Sequence, residues 1–335
     1  MINSSSKILI IRLSSLGDVI LSTVLPKFLN FHYPGIKIDF LVLDKFADVY
    51  KDNPFIKTVF AVSKQNLATL KKLLQSEGYD LVIDLQNNIR TRKLLYGINS
   101  LVVKFNKYHF RKFLLVKFKI DLLKNLPQIP LRYIDSLSSV LPGYKEMRKD
   151  FQTELFLNDD FDLNLPLGAK IICIAPGAAH FTKRWGESNF SNLIQILVEN
   201  GFTPVLIGGL SEKNLCAQIS QNTGDVFDLS GEDNLSKVVS LFKKSLLLVC
   251  NDSGLMHAAC AVQLPVVSIF GSSVEQFGFA PYSTNSIILQ NNSLSCRPCS
   301  HIGRSACPKK HFNCMRSISP EEVFIKVQLL LKDVK

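Results

Sequence analysis

The chain has 335 residues, 47% of them hydrophobic and 20% charged, with a formal net charge of +11. This composition excludes a disordered chain, and no apolar run reaches the roughly 18 to 20 residues that a membrane span needs, while the length suits two domains with separate cores. Nucleic acid, an anionic membrane surface and a phosphorylated substrate each fit the positive charge, so its distribution has to decide between them.

The N-terminus enters directly on an apolar strand, Lys7–Leu13, with no basic leader or cleavage site, and a cytoplasmic location is expected. The strand runs into Ser14-Ser15-Leu16-Gly17-Asp18-Val19-Ile20, and a helix is predicted over Val19–Phe31. Lys37–Val42 follows as a strand, Leu67–Ser76 as a helix and Leu81–Leu85 as a strand. Such alternation argues for a parallel sheet covered by helices. After Leu85 come Gln86, Asn87, Asn88, Arg90 and Arg92, and helices are predicted for most of Leu101–Asp150. Within that stretch Lys104, Lys107, Arg111, Lys112, Lys117, Lys119 and Lys124 interleave with Phe105, Tyr108, Phe110, Phe113 and Phe118. A basic and aromatic run of this kind suits lipid headgroups; surface lysines over core aromatics are the ordinary alternative.

Asn158–Gly168 is polar, broken by Pro166 and Gly168, and reads as a linker. Its Asp160-Phe161-Asp162 spells a metal-binding pair, but no comparable apolar strand precedes it, and the match is read as coincidence. Strand and helix signals then resume at Ile171–Ala175, Phe190–Glu199, Pro204–Ile207, Lys213–Gln221, Leu235–Lys243, Leu246–Cys250, Leu255–Val262 and Val266–Phe270, and Pro320–Leu331 closes the chain as a helix. Between Leu246–Cys250 and the next helix lies Asn251-Asp252-Ser253-Gly254. A strand-turn-helix of this kind aims unpaired N–H groups and the positive end of a helix dipole at one point, which makes it a phosphate seat. Of the eight cysteines, Cys173, Cys216, Cys250 and Cys260 sit in apolar stretches and are read as buried small hydrophobes. Cys296, Cys299, Cys307 and Cys314 crowd one loop near His301 and His311. In a reducing compartment these four are a candidate structural zinc set, with free thiols in a packed loop as the alternative.

Three turns after strands, Ser14–Ile20, Pro176–Trp185 and Asn251–His257, together with Val266–Gly271, resemble the bacterial lipopolysaccharide heptosyltransferases of glycosyltransferase family 9. The resemblance runs from about Lys7 to Met315 and is strongest after Ala169. It implies an α/β GT-B fold of two Rossmann-like doubly wound domains facing a central cleft, with an acceptor-binding domain over 1–160 and a nucleotide-sugar domain over 168–318. A C-terminal helix, 319–335, is expected to pack back on the first domain. The implied activity is an inverting, metal-independent transfer of heptose from ADP-heptose to the inner core of lipopolysaccharide, with no cofactor. The implied partners are an ADP-sugar donor, a phosphorylated lipid or oligosaccharide acceptor and the anionic inner face of the inner membrane, with no nucleic acid.

In that frame Asp18 is the candidate base, held ionised at a helix entrance; the ordinary reading of such a carboxylate is a helix-start stabiliser. Ser14, Ser15, Gly17, Arg90, Arg92, Lys107, Arg111 and Lys112 are candidates for the acceptor. Lys183 and Arg184 are candidates for the donor diphosphate, Asp252 for sugar hydroxyls, Ser253 and Gly254 for phosphate through their N–H groups, His257 for phosphate or ribose, and Glu212 for ribose. A transferase of the same architecture using another nucleotide sugar is the nearest rival. A nicotinamide dehydrogenase fits less well, because no G-x-G-x-x-G follows a strand. A nucleic-acid-binding protein accounts for the charge and the C-x2-C pair but not for three strand-turn-helix sites.

Overall fold

A computed structural model describes residues 2–63, 67–141, 143–148, 151–157, 161–224, 226–282 and 284–332. The chain divides into two units, one made of 1–107 and 127–157, the other of 108–126 and 158–335.

The first unit is built on a parallel sheet of β1 (Lys7–Ile11), β2 (Lys37–Leu43), β3 (Thr58–Val62), β4 (Leu81–Asp84) and β5 (Leu101–Lys104), in the order β3-β2-β1-β4-β5. Ile8, Leu9, Ile10 and Ile11 are all buried, as a strand covered on both faces requires, which is why the sequence there runs apolar without alternation. Chain order reverses between β1 and β4, and the strand ends at such a switch point are where open α/β sheets hold ligands.

The single helix predicted over Val19–Phe31 is two, Leu16–Leu21 and Val24–His32. The Ser22 and Thr23 hydroxyls donate back to the carbonyls of Val19 (2.6 Å) and Ile20 (2.8 Å), and Pro26 has no N–H to offer Ser22, so the ladder cannot run through. The stretch after Leu101 begins with a strand, β5, before its helices His109–Phe118, Ile129–Asp135 and Tyr144–Met147.

The second unit carries β6 (Ile171–Ala175), β7 (Thr203–Leu206), β8 (Phe227–Asp228), β9 (Leu247–Asn251), β10 (Val266–Phe270) and β11 (Ser286–Gln290), again parallel, in the order β11-β10-β9-β6-β7-β8. Its reversal falls between β6 and β9, the two strands that lead into Pro176–Trp185 and Asp252–His257. Ile172, Ile174, Val249 and Val267 form one core with Trp185, Phe190, Leu193 and Leu197.

The terminal helix, Pro320–Lys332, counts with the second unit and buries Val323, Val327 and Leu330 in its core. Residues 108–126, placed by sequence within 1–160, count with the second unit, because Leu115 and Leu123 are buried with Phe277, and Tyr108, Val116, Val274 and Phe279 pack around them. Among the described residues no helix is long and apolar enough to cross a membrane.

Candidate active site

At the first switch point the two strand ends hold each other. Gln86, just after β4, accepts through Oε1 from the N–H groups of Leu13 (3.0 Å) and Ser14 (3.2 Å), which fixes the turn after β1. Asp18 is the third residue of the helix that follows, and its Oδ2 accepts from the Ser15 hydroxyl (2.8 Å) and N–H (3.3 Å). Its other oxygen faces Arg12 Nη2 at 2.5 Å and the Tyr133 hydroxyl at 3.4 Å. Burial alone pushes the Asp18 carboxyl up, but Arg12 and the bonds from Ser15 outweigh it and hold the group below the ordinary carboxylate range. Asp18 therefore both starts its helix and presents an ionised carboxylate beside a fixed cation.

Arg12 is itself buried at the end of β1, where Nη1 donates to Leu85 O at 2.8 Å. Its charge also bears on Asp84, whose carboxyl is pushed up by burial although it accepts from Asn87 N–H at 2.7 Å. Lys107 is partly buried nearby; burial and then Arg12 lower its pKa, while Asp18 and Asp84 pull it back up. Arg92, exposed on helix Ile89–Leu95, also bears on Lys107, and Arg90 is exposed in that helix's first turn. Ser14, Ser15, Gly17, Arg92 and Lys107 thus cluster with Asp18 in one unit. Arg111 and Lys112, expected alongside them, lie on helix His109–Phe118 and belong to the second unit through the packing of Leu115 on Phe277.

At the second switch point Asn251, fully buried, ties the two turns together: its Oδ1 accepts from Trp185 N–H (3.1 Å) and its Nδ2 donates to Pro176 O (2.7 Å). This brings Lys183 Nζ within 2.7 Å of Asp252 Oδ2, which also accepts from the Ser273 hydroxyl at 2.5 Å. Ser253 caps helix Gly254–Ala261, and its own hydroxyl is buried with no partner among the described residues. His257 lies one turn further along that helix, buried, with its ring 6.4 Å from that of Phe279. Glu212 accepts from Gly209 N–H at 3.1 Å and lies against Gly177, where a Cβ would fall 2.3 Å from Glu212 Cγ; only glycine lets that side chain cover the turn. Arg184 folds back to donate to Ala178 O at 2.8 Å, so it braces the turn that carries Lys183.

Among the described residues no group of three or more His, Cys, Asp or Glu is placed to hold an ion, although Cys296, Cys299, Cys307 and Cys314 lie close enough to bear on one another's charge. Cys314 is turned into the hydrophobic core, where burial raises its thiol to about 11, while Cys296 lies 3.8 Å from His311 Nε2. The four cysteines read as apolar, Cys173, Cys216, Cys250 and Cys260, are buried. Of the Asp-x-Asp spelling, Asp160 lies outside the described residues, and Asp162 lines a cavity of about 360 Å³ with Asp228, Ser230, Glu232 and Lys237; Lys183 and Asp252 are not part of that lining.

Three residues at these sites were not foreseen from the sequence, Arg12, Tyr133 and Ser273, and Asn251, named as part of its turn, was given no role. Arg12 left a signal, since an arginine inside an otherwise apolar buried strand needs a partner. Tyr133 and Ser273 reach their aspartates from distant parts of the chain and left none.

The sequence profile of glycosyltransferase family 9 (heptosyltransferase) matches residues 67–310. Lipopolysaccharide heptosyltransferase 1 of Campylobacter coli is similar over 361 aligned residues at 25% identity, covering 98% of this chain and 99% of that protein. Among solved structures, the fold is similar to that of a family 9 glycosyl transferase from Veillonella parvula, with a TM-score of 0.81 at 21% identity and 99% of each chain covered. It is also similar to the ADP-heptose LPS heptosyltransferase II of E. coli, with a TM-score of 0.76 at 21% identity, covering 98% of this chain and 99% of the other.

Proposed function

The chain belongs to glycosyltransferase family 9, and from that premise we propose that it moves heptose from ADP-heptose to the inner core of lipopolysaccharide with inversion at the anomeric carbon. The observation that carries this reading is the pairing of Lys183 with Asp252 beside the start of helix Gly254–Ala261, at the switch point of the second sheet. A cation, a helix N-terminus and a carboxylate in one place suit a sugar diphosphate, with Lys183 and the Ser253 and Gly254 N–H groups on phosphate and Asp252 on sugar hydroxyls. The donor named for the E. coli relative, ADP-heptose, is consistent with that chemistry.

In the proposed step an acceptor hydroxyl oxygen bonds to C1 of the heptose. The bond from C1 to the β-phosphate oxygen breaks with its electron pair going to ADP, and the hydroxyl proton passes to Asp18. An ionised aspartate is a weak base, which suffices where the hydroxyl loses its proton late and the carboxylate chiefly orients it. Lys107 and Arg92 supply positive charge for a phosphorylated acceptor. The test is mass spectrometry of heptose-deficient core oligosaccharide after incubation with the protein and ADP-heptose. Growth of the acceptor by one heptose supports the reading; transfer only from a different nucleotide sugar overturns the donor assignment.

Because a fixed lysine and helix N-terminus neutralise the leaving diphosphate in this mechanism, transfer is expected to persist in EDTA without added magnesium. Loss of activity on chelation, restored by a divalent ion without any change in folding, would return Asp162 to consideration.

The working location in this reading is the cytoplasmic face of the inner membrane, with peripheral contact through helix His109–Phe118. Phe110, Phe113 and Phe118 are 69%, 54% and 57% exposed there, beside exposed Arg111 and Lys117. Exposed aromatics among cations are what an anionic bilayer surface holds, at about 1 kcal/mol for each basic residue close to it. The variant Phe110→Ser, Phe113→Ser, Arg111→Gln is expected to sediment less with phosphatidylglycerol vesicles, and binding of the unaltered protein should weaken as salt rises. Equal sedimentation of both proteins at every salt concentration would assign this face to ordinary solvent.

A further inference from the structure

We infer that helix His109–Phe118 also serves the donor: Lys112, with His301 of the cysteine loop beside it, extends the seat of Lys183 and His257 so that it takes the diphosphate of the nucleotide sugar. This rests on the reading of the Asp252–His257 turn as the donor seat.

The helix has two faces with different surroundings. Tyr108, Lys112, Leu115 and Val116 share a stripe at helical spacing, and Tyr108, Leu115 and Val116 of that stripe pack with Phe277, Val274 and Phe279, on the segment that follows β10. Phe110, Phe113 and Lys117 fall on another stripe, which is exposed. The docked stripe carries Lys112 onto Phe279, with Nζ 5.9 Å from the ring centroid, a distance at which an aromatic face attracts an ammonium. That same ring lies 6.4 Å from the ring of His257. The neighbouring Phe277 ring lies 6.4 Å from that of His301. Phe277 and Phe279, two residues apart, thus bring a lysine from 108–126, a histidine from the cysteine loop and the donor-turn histidine into one neighbourhood.

The charges agree with this placement. Burial lowers the pKa of His301, and the positive charges of Lys112, His109 and Lys183 lower it further, so helix His109–Phe118 and the lysine paired with Asp252 both bear on that ring. Asp252 is already engaged by Lys183 and Ser273. A collection of cations of this kind repels itself, and a bound diphosphate offsets the repulsion. The negative charge on that diphosphate increases when the bond to the sugar breaks, so Lys112 would contribute more to the transition state than to donor binding.

A lipid phosphate offers the same chemistry as the donor's, and the experiment separates them. The full-length protein is titrated calorimetrically with ADP and with adenosine, and sedimented with phosphatidylglycerol vesicles, as Lys112→Met, Lys112→Arg and Lys183→Ala. Methionine keeps an apolar stem on Phe279, and arginine keeps the charge. Lys112→Met is expected to weaken ADP by about ten-fold, the scale of one hydrogen bond to a charged group, with adenosine affinity and vesicle binding unchanged and ADP affinity largely retained in Lys112→Arg. Unaltered ADP affinity in Lys112→Met, while Lys183→Ala binds ADP poorly, overturns the inference and leaves the donor seat standing. Loss of vesicle binding with ADP affinity intact assigns Lys112 to the lipid instead. Unaltered ADP affinity in Lys183→Ala removes the seat itself, and the inference with it.

Discussion

Asp18→Asn is expected to lower turnover by about 100- to 10,000-fold, the usual contribution of a general base, while ADP affinity stays as it was. Asparagine has nearly the shape of aspartate and can still accept from the Ser15 hydroxyl and N–H, so the helix start survives. What it lacks is a place for the acceptor's proton and a charge to oppose Arg12. The same geometry fixes the pH dependence. Arg12 and Ser15 hold the Asp18 carboxyl below the ordinary carboxylate range against burial, so the working carboxylate is present above that lowered pKa, and the acid limb of kcat/KM lies below the usual range. With Arg12→Met the opposing charge is gone, burial prevails, and the limb moves upward. The stability linked to this pair has the same sign, being present above the unfolded carboxyl's pKa and lost as pH falls through the lowered folded one. Wild-type-like turnover in Asp18→Asn, or an acid limb that Arg12→Met leaves in place, would remove this pair from the mechanism.

The parts legible in the sequence were those written locally. The turns after β1, β6 and β9 announce themselves by glycine, proline and small polar residues at the end of apolar runs, and each lies at a strand end beside a switch point. Strand order was not legible, because a buried parallel strand is apolar on both faces and carries no mark of its neighbours. Short edge strands such as Phe227–Asp228 and Leu101–Lys104 offer too few residues for a pattern. The allegiance of 108–126 was hidden for a different reason: Leu115 and Leu123 show that a face is buried, but their partner Phe277 lies more than a hundred residues away along the chain. Tyr133 shows the same limit within the first site, since it reaches Asp18 across 115 residues of chain.

Lys183→Met is expected to impair the donor step about 100- to 1,000-fold in kcat/KM, comparable to removing one preorganised charge stabiliser from an active site. The loss has two parts. The leaving diphosphate loses a cation, and Asp252, 7% exposed and paired with Lys183 at 2.7 Å, is left as a buried carboxylate that keeps the Ser273 hydroxyl but no cation. A buried charge stripped of its partner is costly, and here it also faces an incoming anion. A second change should therefore relieve part of the first: the double variant Lys183→Met, Asp252→Asn is expected to bind ADP more tightly than Lys183→Met alone, because the repelling carboxylate is gone. Its turnover should stay low, since neither the cation on phosphate nor the carboxylate on sugar hydroxyls is restored. Coupling of this kind is what paired residues in one site show, whereas independent sites give additive losses. Calorimetry of ADP with the three variants, including Asp252→Asn by itself, decides the matter. Strictly additive changes in ADP affinity would mean that Lys183 and Asp252 do not meet the diphosphate together.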